Sequence, residues 1–97
     1  MLREIVAQNP QDAFARYGLA MELSNRGELE FALAEFKNLL ELHPDYAAGY
    51  FMAAQALAKA GRNDEARDYL TRGIGAAERT RNAHAAVEMQ AMLDELS

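Results

Sequence analysis

Pro10 to Pro44 reads PQDAFARYGLAMELSNRGELEFALAEFKNLLELHP. Two segments with apolar residues at helical spacing flank Asn25-Arg26-Gly27, and a proline stands at each boundary. In the first segment Leu19, Ala20 and Leu23 form a stripe, with Phe14, Tyr17 and Met21 on a neighbouring face. In the second, the stripe is Ala32, Phe36, Leu39 and Leu40. Gly27 suits the left-handed residue that closes a helix, and His43 is pushed out of α geometry by Pro44. The spacing therefore predicts helices from Asp12 to Asn25 and from Leu29 to Leu42.

The same punctuation continues outward. Upstream, Leu2, Ile5 and Val6 make a short apolar stripe that Asn9-Pro10 ends. Downstream, helices are expected from Tyr46 to Ala60 and from Asp64 to Glu78, with Gly61-Arg62-Asn63 as the turn between them. Arg79-Thr80-Arg81-Asn82 is a polar break with neither glycine nor proline. A last helix is expected from Ala83 to Leu96, with Val87, Met89, Met92, Leu93 and Leu96 as its apolar positions. The β-branched residues are few: Ile5, Val6, Thr71, Ile74, Thr80 and Val87. Propensity summed along the chain favours helix over strand, so the domain is read as all-α.

A shift of about 34 residues, a period at which helical repeats recur, lays the chain on itself. Ala13 falls on Ala47, Ala20 on Ala54, Leu23 on Leu57, Gly27 on Gly61 and Ala32 on Ala66. Phe36 falls on Leu70 and Leu40 on Ile74; backward, Phe36, Leu39 and Leu40 fall on Leu2, Ile5 and Val6. Leu19, Ala53 and Val87 line up across three copies. The matches are small residues where helices must approach, large apolar residues where a core needs filling, and glycine at the turn. This spacing resembles the tetratricopeptide repeat (TPR) family, whose pattern is W-x2-L-G-x2-Y, A-x3-F, then P. Copy one carries it as Arg16-x2-Leu19-Ala20-x2-Leu23, Ala32-x3-Phe36 and Pro44. Copy two carries it as Tyr50-x2-Ala53-Ala54-x2-Leu57, Ala66-x3-Leu70 and Glu78. Arg16 departs from the pattern, and its stem is expected to pack while its head reaches solvent. Glu78 departs from the closing proline, and His84 and Glu88 make the third copy degenerate, as in a cap with a wet outer face.

The resemblance implies a short right-handed solenoid of helix-turn-helix repeats with a C-terminal capping helix. The expected organisation is one domain: residues 1–10 as the end of a partial repeat, 11–44 as repeat one, 45–78 as repeat two and 82–97 as the cap. It also implies a concave groove lined by the first helix of each pair. By register, the groove residues are Phe14, Tyr17 and Met21, then Phe51, Met52 and Gln55, then Met89. One TPR subgroup clamps a C-terminal carboxylate with lysine and asparagine at such positions; Tyr17 and Met21 stand there instead, so that ligand is not expected. An aromatic and methionine-rich lining suits an apolar peptide or a partner helix.

Composition narrows the function further. The net charge is −5, and the arginine-rich stretch from Arg62 to Arg81 is interleaved with Asp64, Glu65, Asp68 and Glu78. Nucleic acid is not an expected partner, because phosphate binding needs a clustered basic surface. Without cysteine the chain has no disulfide framework and no thiolate nucleophile. No apolar run reaches the roughly 20 residues of a membrane span. His43 and His84 have no second ligand at helical spacing, so neither a metal site nor a cofactor is expected. Glu28, Glu30, Glu35 and Glu41 are read as a solvated face. The expected function is a cytoplasmic, non-catalytic protein-interaction module. The alternatives are a self-associating scaffold that forms a homodimer by stacking its ends, or a regulatory fragment of a larger protein.

Overall fold

The computed structural model describes Arg3 and residues 12–96. Residues 12–96 form five helices and no strand: α1 (Ala13–Asn25), α2 (Leu29–Leu42), α3 (Ala47–Lys59), α4 (Asn63–Arg79) and α5 (Ala83–Leu96). The apolar stripe expected at Leu2, Ile5 and Val6 lies outside the described residues. The chain packs as two compact units, Met1–Pro44 and Asp45–Ser97. In the first, α1 packs on α2; in the second, α4 packs on both α3 and α5, and α3 touches α5 lightly.

Local hydrogen bonds and left-handed residues mark several of the helix ends. Asp12 caps α1, its carboxylate oxygen accepting from Ala15 N at 3.1 Å. Gly27 (φ 78°) and Gly61 (φ 80°) end α1 and α3. Beyond them, Glu28 N donates to Leu23 O and Arg62 N to Leu57 O, the closing bonds of a Schellman motif. The end of α4 uses the same geometry without a glycine. Arg81 adopts φ 57°, and Asn82 N donates to Ala77 O at 2.8 Å. Asn82 then caps α5, accepting from Ala85 N at 3.1 Å. The polar break at Arg79-Thr80-Arg81-Asn82 is thus a defined turn, and α4 runs one residue past the expected Glu78. At the first residues of α4, Arg62 donates to both oxygens of Glu65, and this hydrogen bond holds the Glu65 carboxyl below its ordinary range.

The core of the first unit holds Leu19, Ala20 and Leu23 from α1, with Ala32, Phe36, Leu39 and Leu40 from α2. Arg16 departs from its expected role. Its side chain is only 11% exposed, and Nη1 donates to Glu35 Oε1 at 2.7 Å, linking α1 to α2. Glu35 accordingly leaves the solvated face on which it was expected. An arginine at a position for a large apolar residue is tolerated because its stem packs and its charge is met.

In the second unit the core holds Tyr50, Ala53, Ala54 and Leu57 from α3, with Ala66, Leu70, Gly73, Ala76 and Ala77 from α4. From α5 comes Met89 alone. Gly73 is where the three helices meet. A Cβ there would stand 2.5 Å from Met89 Sδ and 2.6 Å from Tyr50 Cβ. Arg72, the next residue, lies over the rings of Tyr69 (4.5 Å) and Tyr50 (5.6 Å). Arg67 Nη1 donates to Leu96 O at 2.6 Å, fixing the far end of α5.

Val87 does not join the core, although it aligns with buried Leu19 and Ala53; it is 68% exposed. The reason is the side on which α5 packs. Leu19 and Ala53 lie on helices that pack against the helix that follows, whereas α5 packs against the α4 that precedes it. The buried face of α5 centres on Met89, and two residues of helix turn Val87 about 200° away from it.

Two outcomes follow for stability. Gly73→Ala is expected to destabilise the fold by about 1–3 kcal/mol, because the obstacle includes the stiff Cβ of Tyr50 as well as a movable methionine; chemical denaturation measures it. Arg16→Ala and Glu35→Ala should each cost about 1–3 kcal/mol, and the double variant less than their sum, as a double-mutant cycle would register.

Candidate interaction surface

A helix presents one line of side chains at i, i+3 or i+4, and i+7. On α1 this line contains Phe14, Tyr17, Gly18 and Met21, and it is distinct from the buried stripe of Leu19, Ala20 and Leu23. Phe14 is 79% exposed; Tyr17 and Met21 are half-buried. The first unit therefore packs its core without using Phe14, and shields Tyr17 and Met21 only in part. Phe31, on α2, is a second aromatic side chain left out of the core, at 66% exposure. The sequence reading passed over it because it lies beside the α2 stripe rather than on a register position of the first helix. Leu42, near the α2 terminus, is also exposed.

On α3 the corresponding line contains Phe51 and Gln55, flanked by Met52. Phe51 and Met52 are half-buried, and Gln55 is exposed. They stand apart from the buried Tyr50, Ala53, Ala54 and Leu57. Ala48 takes the place that Phe14 holds one period earlier, so the face on α3 is flatter than that on α1.

Met89 is a correction. It was expected beside these residues on an open surface, but it is fully buried, facing Gly73 and Tyr50. Register assigned it to the open side because Met21 and Gln55 are its counterparts. The glycine at position 73, where copy one has Leu39, lets α5 approach α4 with its methionine side inward.

The chemistry of these faces is apolar. Among the described residues no polar or charged side chain is buried, and no three His, Cys, Asp or Glu side chains gather as metal ligands. No described helix is long and apolar enough to cross a membrane. His84 Nε2 lies 2.6 Å from Glu88 Oε1 on the exposed side of α5, a helical i, i+4 pair.

The comparisons with known proteins agree with this architecture. The family model for the tetratricopeptide repeat matches residues 25–89. An uncharacterized protein of Methanocaldococcus jannaschii is 37% identical over 67 residues, which are 69% of this chain and 78% of that protein. The solution structure of a tetratricopeptide repeat domain protein from Salinibacter ruber superposes with a TM-score of 0.85 at 30% identity, covering 92% of this chain and 90% of that one. At 19% identity the fold is also that of the TPR2B domain of yeast Sti1, solved in complex with pHsp70, with a TM-score of 0.89 over 98% of this chain and 76% of that one. With the 34-residue recurrence carried by buried alanines, paired αL turns and helix-on-helix cores, the chain belongs to the tetratricopeptide repeat family.

Proposed function

We propose that this domain is a non-catalytic protein-interaction module that binds a peptide or a helix on the apolar faces of α1 and α3. The observation that carries this reading is the exposed Phe14 on the same face as half-buried Tyr17 and Met21. Large apolar side chains left outside the core are a standing cost in water, recovered when a partner covers them. Phe51 and Met52 supply the equivalent chemistry on α3, and Gln55 supplies a polar group for orienting a bound backbone. Aromatic and thioether groups adapt to an apolar ligand without demanding one hydrogen-bond geometry.

Relatives in fold support the class of partner. The yeast domain was solved with pHsp70, and another structural neighbour with a TM-score of 0.90, PcrH, was solved with the chaperone binding region of PopD.

The test is panning of the immobilised full chain against a library of apolar and amphipathic peptides. Tyr17→Ala and Phe51→Glu are expected to weaken the selected peptide by about tenfold or more, with unchanged far-ultraviolet circular dichroism. Phe14→Ser, at the most exposed position, separates binding from folding: it should leave the unfolding midpoint in place and still reduce capture. Wild-type capture by all three variants would sink the proposal.

A further inference from the structure

The exposed side of α5 is built differently from a solvated cap. Ala83, Val87 and Ala91 run along it at i, i+4 and i+8, all exposed, in register with Ala15, Leu19 and Leu23 of α1, which are buried. The same positions on α3, Gly49, Ala53 and Leu57, are buried as well. In both earlier copies this line is covered by a helix that returns alongside the first, and on α5 it is open. Beside it lies an open groove of about 420 Å³, lined by Ala77, Glu78, Arg81, Ala83, Ala86 and Val87.

We infer that a second copy of this chain covers this face, its α5 packing antiparallel on the first. Two features of the surface select that occupant. The small-x3-large pair that α2 and α4 bring to their neighbours, Ala32-x3-Phe36 and Ala66-x3-Leu70, is present on α5 itself as Ala83-x3-Val87. The charge on this side is graded from end to end. Arg81 precedes the helix, and Asp94 lies near its far end, eleven residues on from Ala83 and so on the same line. A two-fold axis at Val87 sets Arg81 level with the partner copy's position 93, one residue from Asp94. The basic end of each helix then meets the acidic end of the other, twice, and the helix dipoles oppose. A parallel arrangement would stack like charges. Val87 of each copy then lies at the axis against Val87 of the other, and Ala91 of each lies level with Ala83 of the other.

This interface is independent of the faces on α1 and α3, so its failure leaves the binding reading untouched. One helix face per copy lies at the small end of stable interfaces, so the dimer is weak and depends on concentration. Sedimentation equilibrium of the full chain from about 10 μM to about 1 mM should show the mass rising from 10.8 kDa towards twice that value. Val87→Asp should raise the dissociation constant by about tenfold or more, with helicity unchanged because Val87 is outside the core. Arg81→Glu should weaken the dimer, and adding Asp94→Arg should restore it. Three results would overturn the inference: a mass fixed at that of the monomer, a dimer indifferent to Val87→Asp, or a charge swap without recovery.

Discussion

Helices bring large side chains into a shared core only where one of the facing positions presents almost nothing. In this protein that constraint is met by alanine and, at one point, by glycine. Ala20, Ala32, Ala54 and Ala66 have no accessible surface, and they let their helices approach while Phe36, Leu57 and Leu70 fill the remaining space. At Gly73 even a methyl group is excluded, because Tyr50 and Met89 already occupy the volume. Each fully buried large side chain contributes about 1.5–3 kcal/mol, and none would be realised if the small positions were enlarged.

The same constraint explains what could be foreseen from the chain. Small residues at close approaches recur every 34 positions because the packing recurs, so α2 and α5 have the bounds expected from spacing alone. The starts of α1 and α3 fall one residue later than expected, because Asp12 and Tyr46 sit at the N-cap rather than inside the helix. Arg81 was not legible as a helix stop. A left-handed backbone is announced by glycine, and an arginine adopts it only because the Asn82–Ala77 bond and the cap of α5 hold the turn. The Arg16–Glu35 pair joins residues 19 apart, beyond the reach of any local spacing rule. The position of Phe14, Tyr17 and Met21 outside the buried stripe was readable because it follows from register on one helix. Met89 was not, since the side on which α5 packs is decided by a glycine on another helix.

The residues therefore divide by how much of their surface folding uses. Those on the buried stripes are consumed by the two units. Those on the neighbouring lines of α1 and α3 keep apolar surface in water, and so does the outer line of α5. These lines are the surfaces that the proposed partners would cover.

The packing of α5 carries a consequence for oxidation. Only one of its side chains, Met89, is fully buried, so an opening that releases α5 alone exposes less surface than unfolding the unit and costs correspondingly less. During such openings the thioether meets solvent. Once converted to a sulfoxide it carries an extra oxygen and a strong dipole, and the notch at Gly73, already too tight for a methyl group, has room for neither. Oxidative damage at this single sulfur would hold the last helix away from α4 while leaving the helix pairs before it intact.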